Sequence, residues 1–187
     1  MTTETAAALH SAIEGWHEYY LLAGTAAVTL VGLLFVALSF HLDTLLQAEK
    51  AHLLGTARMA FISFVYVLLL SLTFLAPGVS PRIVAVYLLA SSAVLLVHTL
   101  WVALTHRRKM DPEGHDRFLG RRYAATGFVA GIAIVSAVEF LRHPHAGALY
   151  SFAFIIAIML VNAATISWDL LVQVGRFKLA QERSRRA

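Results

Sequence analysis

The chain has 187 residues, of which 59% are hydrophobic and only 14% are charged. Soluble domains are about 45 to 50% apolar, so this composition excludes an ordinary soluble fold. The net charge of +4 does not indicate nucleic-acid binding, because no aromatic or helix-turn-helix pattern accompanies the basic residues. The absence of cysteine excludes disulfides, thiolate metal sites and cysteine nucleophiles.

The N-terminal segment predicts an amphipathic helix over residues 5–19 that lies at the outer membrane surface. Its apolar side chains recur at helical spacing, at Leu9, Ile13, Trp16 and Tyr20. The segment lacks a basic start, so we do not expect a cleavable secretory signal.

A second face of this helix carries His10, Glu14 and His17, which follow one another at steps of four and three. Imidazole and carboxylate groups suit zinc or a similar divalent ion, so a metal site at the outer face is one interpretation. His143 and His145 could complete such a site. The alternative is a solvated helix face, and no other cofactor is predicted.

Five apolar runs are each long enough to cross about 30 Å of hydrocarbon as a helix. They predict membrane spans at 20–42, 57–76, 83–105, 123–141 and 148–171. Residues 106–122 predict a cytoplasmic loop and residues 172–187 a cytoplasmic tail. The predicted fold class is therefore all-α, a single transmembrane domain (1–187) built as a polytopic bundle of five helices.

The distribution of Lys and Arg predicts the orientation, because positively charged loops are retained on the cytoplasmic side. Arg82 and Arg142 are the two basic residues on one side, and the other thirteen fall on the opposite side. We therefore expect the N-terminus outside and the C-terminus inside the bacterial cytoplasmic (inner) membrane. Basic inner loops also favour contact with anionic lipid headgroups, without nucleic acid as a partner.

The first span carries a stripe of small and hydroxylated residues, at Thr25, Thr29, Gly32, Ser39 and Asp43. One interpretation is close packing of helices, which small residues permit. The other is a homo-oligomer whose first helices surround a pore, with hydroxyls and Asp43 carboxylates replacing part of a cation's hydration shell.

Trp16, Tyr19 and Tyr20, followed by Gly24 and the run 32–37, resemble a set of uncharacterised bacterial multi-span membrane proteins. This resemblance implies a multi-span fold and no particular activity.

The first span is also similar to the pore helix of the Orai calcium channels, through Thr25, Ala27, Val36, Leu42 and Asp43. This resemblance implies a cation path along the helix. The chain differs at Ser39, where the resemblance would require an acidic residue, and its predicted direction across the membrane is opposite.

Six polar residues from several spans could form one cluster. His98 and Asn162 fall at similar depth in the inner half of the membrane, and four others fall near the inner interface, namely His41, Asp43, Arg58 and Asp169. Ionisable groups at membrane depth are costly and suggest an ion or proton path. The alternative is that Asp169 pairs with Arg58 at the boundary while His98 bonds to a neighbouring helix.

Gly127 and Gly131 form a GxxxG motif, which predicts close helix contact in the fourth span. The leading functional hypothesis is an oligomeric cation or proton channel or transporter. The competing hypothesis is a non-catalytic accessory or sensing subunit that binds a partner through its helices. A haem or metal-dependent enzyme is a third option, although no catalytic motif occurs, so we do not expect an enzyme.

Overall fold

The computed structural model describes residues 11, 14–40, 51–78, 80–107, 115–143, 145 and 147–186. Across these ranges the chain forms five long helices and no strand. They are α1 (His17–Phe40), α2 (Ala51–Leu75), α3 (Pro81–Arg107), α4 (His115–Arg142) and α5 (Gly147–Arg186). Each helix contains a stretch long and apolar enough to cross a membrane, which confirms the all-α, five-span architecture.

The predicted interfacial helix over 5–19 falls largely outside the described residues. Glu14 and Gly15 are helical, and a turn at Trp16 precedes α1. The backbone N–H of Tyr20 donates to the Trp16 carbonyl over 3.1 Å, which joins this turn to the first turn of α1.

The helices extend beyond the hydrophobic spans and into the predicted loop over 106–122. Helix α3 continues through Arg107 and α4 already begins at His115, so both ends of that segment are helical. Helix α5 likewise continues to Arg186. Hydropathy marks only the part of a helix that crosses hydrocarbon, whereas Arg, Lys, Gln and Glu are good helix formers outside it.

A tight turn joins α2 to α3. Gly78 takes a positive φ of 69°, the left-handed conformation that commonly ends a helix and that glycine adopts without a Cβ penalty. Ser80 then precedes Pro81, the first residue of α3. A backbone N–H at this position would have no partner within the helix, so the lack of one in proline costs no hydrogen bond. The Ser80 carbonyl accepts from the N–H groups of Ile83 and Val84. Helices α2 and α3 are therefore antiparallel neighbours.

Helix α2 lies at the centre of the bundle and packs against α1, α3 and α5. In the most apolar stretch of α2, 56% of the residues are buried, against 22% in the corresponding stretch of α1. Helix α1 is therefore peripheral, with most of its surface facing away from the chain's own core.

Helices α3 and α4 form the most extensive helix pair. Apart from Val84 and Val129, their buried residues alternate at steps of three and four, which is the heptad spacing of helices that cross at about +20°. These residues are Ala85, Leu88, Ser92, Leu95, Thr99 and Val102 on α3, and Tyr123, Thr126, Ala130, Ala133, Ala137 and Phe140 on α4. Small side chains at this seam let the two backbones approach closely.

Aromatic side chains fasten the start of α1 to α2 and α5. Tyr20 is fully buried, and its ring stacks on Phe74 of α2 with centroids 4.4 Å apart. Its hydroxyl donates to the Leu149 carbonyl over 3.1 Å. The neighbouring Tyr19 hydroxyl donates to the Ala153 carbonyl over 2.7 Å. This end of α1 is therefore held by two hydrogen bonds to α5 as well as by packing.

We predict that Tyr20→Phe lowers the free energy of unfolding by about 1 kcal/mol, because it removes one buried hydrogen bond and keeps the ring. Thermal unfolding in detergent measures the change. Tyr150→Phe is the control, since Tyr150 is exposed and lies at the same end of the bundle as Tyr20. Equal stability of the Tyr20→Phe variant and the wild type would contradict the prediction.

Gly24 packs closely against α2, because a Cβ added there would lie 3.1 Å from the Ser71 Cβ. We predict that Gly24→Leu lowers the free energy of unfolding of the single chain by about 1 to 3 kcal/mol through overpacking. Gly32→Leu is the matched control on the same helix, because nothing lies within 4 Å of a Cβ at Gly32. Comparable losses in the two variants would show that this contact is not formed.

Candidate functional site

The stripe of α1 lies on the outer surface of the single chain. Thr25, Thr29, Gly32 and Ser39 are all exposed. Each of the three hydroxyls donates over 2.8 Å to the backbone carbonyl four residues earlier in α1. The three hydroxyls are therefore satisfied within α1 itself. Asp43, the last residue of the predicted stripe, and His41 lie outside the described residues.

A small cavity lies between α2, α3 and α4, in the half of the bundle that contains the ends of α1 and α3. Its volume is about 10 Å³, enough for one water molecule. We call it the His98 cavity. Its polar lining consists of Ser63 from α2, His98 and Thr99 from α3, and Tyr123 and Thr126 from α4. Met59, Ile62 and Leu95 complete the wall.

Two polar atoms of this cavity are buried without a hydrogen-bond partner among the described residues. They are the Ser63 Oγ and the His98 Nε2. The Ser63 residue is fully buried, whereas His98 is half-buried. Most buried polar side-chain atoms in proteins have a partner, so two exceptions in one small cavity indicate a site.

The other polar groups around the cavity are already bonded. The Thr99 hydroxyl donates to the Leu95 carbonyl over 2.7 Å. The Asn162 Nδ2 donates to the Thr126 Oγ1 over 3.3 Å, which links α5 to the cavity. The structure thus brings Asn162 and His98 to the same site through Thr126, a residue that the sequence analysis did not single out.

A second polar pair continues along the interface between α2 and α3. The Tyr66 hydroxyl and the Ser92 Oγ lie 2.8 Å apart, and Ser92 also donates to the Leu88 carbonyl. Tyr66 follows Ser63 by about one helical turn on α2. Polar groups therefore extend from the His98 cavity towards the middle of the bundle.

Arg58 and Asp169 lie outside the lining of the cavity. Arg58 is exposed on α2, and its positive charge is close enough to interact electrostatically with His98 and Tyr123. Asp169 is half-buried on α5. Arg58 therefore adds a positive charge beside the cavity.

The GxxxG motif of α4 provides one helix contact. A Cβ added at Gly127 would lie 3.5 Å from the Thr99 Cγ2, whereas a Cβ at Gly131 would meet nothing within 4 Å. Ala130, Ala133 and Ala137 of the same helix are completely buried. Of the two glycines, Gly127 lies against Thr99 of α3.

The predicted outer metal site is only partly within the described residues. His10 lies outside them, and Glu14 and His17 are both exposed. His143 and His145 are exposed as well, and the His145 Nδ1 lies 2.7 Å from the His143 carbonyl oxygen. Where the structure describes the chain, no three potential ligands are grouped. The zinc site stays a prediction.

Ser63, Tyr66, Ser92 and Thr126 were missed at the level of sequence. Single hydroxyls are common in apolar helices, and nothing local distinguishes these four. The signal that could have found Ser92, Thr99 and Thr126 is the alternation of three and four residues that places them on the facing seams of α3 and α4.

No family model, curated protein or solved structure matches this chain. The chemistry of the His98 cavity is therefore interpreted from its own residues.

We predict a measurable coupling between Asn162 and Thr126. In a double-mutant cycle of Asn162→Leu and Thr126→Val, the interaction free energy should be about 0.6 kcal/mol, the average for hydrogen bonds between membrane helices, and not above about 1.7 kcal/mol. Unfolding of the wild type and the three variants in detergent gives this value. Strictly additive losses would contradict a hydrogen bond at this position.

Proposed function

We propose that the protein transports protons across a membrane and that His98 is the proton-binding side chain. The observation that carries the proposal is the His98 Nε2, a buried and unpartnered atom of an ionisable side chain within a spanning helix. Ionisable residues at membrane depth are costly and commonly mark ion or proton pathways. Imidazole is suited to this role, because its charge changes near neutral pH.

The size of the cavity favours protons over metal cations. A cavity of about 10 Å³ has room for one water molecule, whereas Ca²⁺ takes six to eight oxygen ligands at 2.3 to 2.6 Å. The lining contains hydroxyl groups and an imidazole but no carboxylate. A proton needs only a chain of hydrogen-bonding groups, and the Tyr66–Ser92 pair supports such a chain towards the middle of the bundle.

The proposed orientation places the His98 cavity in the cytoplasmic half of the membrane. Thirteen of the fifteen Lys and Arg residues fall on the side that contains the C-terminus, as the positive-inside rule requires. We propose the bacterial cytoplasmic membrane as the location, with anionic lipid headgroups in contact with these basic residues.

A second candidate function is that of a non-conducting accessory subunit. It is favoured by the outward stripe of α1, where small side chains would let a helix of another protein approach closely. The two candidates differ in their need for His98, because an accessory subunit requires the surface of α1 and no proton-binding group in the core.

Proton flux into liposomes that contain the purified protein tests the proposal, with the oligomeric state determined in the same preparation. We predict a flux that His98→Gln reduces to the level of protein-free liposomes, because glutamine keeps polarity but cannot take up a proton. His143→Gln is the matched control, since His143 is exposed in the turn between α4 and α5. Liposomes that stay tight with the wild-type protein would favour the accessory subunit.

A further inference from the structure

We infer that the His98 cavity binds a single water molecule, which bridges the His98 Nε2 on α3 and the Ser63 Oγ on α2. The inference deepens the proposed function and rests on it only for the role of this water as a proton relay. The presence of the water follows from the geometry of the cavity alone.

The volume and the lining agree in pointing to water. The cavity of about 10 Å³ matches the room that one water needs, and a buried water usually makes about three hydrogen bonds. The Ser63 Oγ and the His98 Nε2 supply two unpartnered groups. The Thr126 Oγ1 accepts a hydrogen bond from Asn162 and keeps its own hydroxyl hydrogen. That hydrogen can be donated to the water as its third hydrogen bond.

An empty cavity would be the less stable alternative at this place. Dry cavities are lined by apolar groups, whereas an unpartnered hydroxyl and an unpartnered ring nitrogen each lose their hydration without compensation. Ser63 is fully buried, so bulk solvent cannot reach its hydroxyl directly. One bridging water satisfies both atoms simultaneously.

The bridge also gives the proton a defined step. An extra proton carried by the water is transferred to the His98 Nε2, so that a water O–H bond breaks and an N–H bond forms. Release reverses this transfer. Ser63 acts as a positioning residue, because its hydroxyl orients the water towards the imidazole. Arg58 from α2 and Tyr123 from α4 are the charged and titratable groups beside His98.

Solid-state NMR of isotope-labelled protein in liposomes tests the bridge through magnetisation transfer from water protons to the imidazole nitrogen of His98. His98→Gln identifies the resonance among those of the nine histidines. We expect a cross-peak between water and His98 in the wild type. Ser63→Val, which fills the cavity, should abolish it, and Ser63→Ala, which removes one partner and leaves the space, should weaken it.

Ser71→Ala is the matched control. Ser71 lies on the same helix, and its Oγ is also buried without a partner in the described part of the chain, but it faces Gly24 of α1 and not the cavity. This variant should keep the full cross-peak. If Ser63→Val does not fold, the comparison between Ser63→Ala and Ser71→Ala decides.

A wild-type protein without the cross-peak, or Ser63 variants that leave it unchanged, would overturn the inference. The outcome is separable from that of the flux experiment. A cross-peak in a protein that carries no proton flux supports the bound water and removes the transport function. Proton flux without the cross-peak removes only the water bridge.

Discussion

In hydrocarbon, every polar group must find a partner within the protein, and this constraint accounts for most of the structure. The backbone meets it by forming helices along nearly all of the described chain. Most hydroxyls meet it by donating to a carbonyl three or four residues earlier in the same helix, as those of Thr25, Thr73 and Thr105 do. Such residues need no neighbouring helix. The Ser63 Oγ, the Ser71 Oγ and the His98 Nε2 are the exceptions among the described residues, and two of the three meet in one cavity.

The same constraint explains why the site lies where it does. Helix α2 is surrounded by α1, α3 and α5, so its buried polar side chains, among them Ser63 and Ser71, are removed from lipid and from water alike. The seam of buried residues between α3 and α4 holds these helices close together. Thr126 belongs to that seam, and His98 directly precedes its residue Thr99. Tyr20 and Gly24 attach α1 to the bundle at the opposite end. The peripheral helix is thus fastened at one end, while its hydroxyl stripe stays on the surface.

The five spans could be predicted from the sequence because a run of about twenty apolar residues has few alternatives to crossing a membrane. The helix ends could not be predicted in this way, since the stretches beyond Leu171 and before Tyr123 contain many charged residues and still form helix. The outward direction of the α1 stripe was equally inaccessible: Thr29 bonds to its own helix whether it faces lipid or protein. His98 was recognisable as an ionisable residue in a span. Ser63 was not, because only the register between α2 and α3 shows that its hydroxyl lacks a partner.

Proton transport as proposed requires that His98 binds and releases protons while it remains within the bundle. The most direct test is a pH titration of the His98 imidazole nitrogens by NMR in liposomes, with His98→Gln used to assign the signals. We expect one reversible change of the protonation state of His98 within the pH range in which the protein stays folded. An imidazole that keeps a single protonation state throughout that range would rule out His98 as the proton-binding side chain.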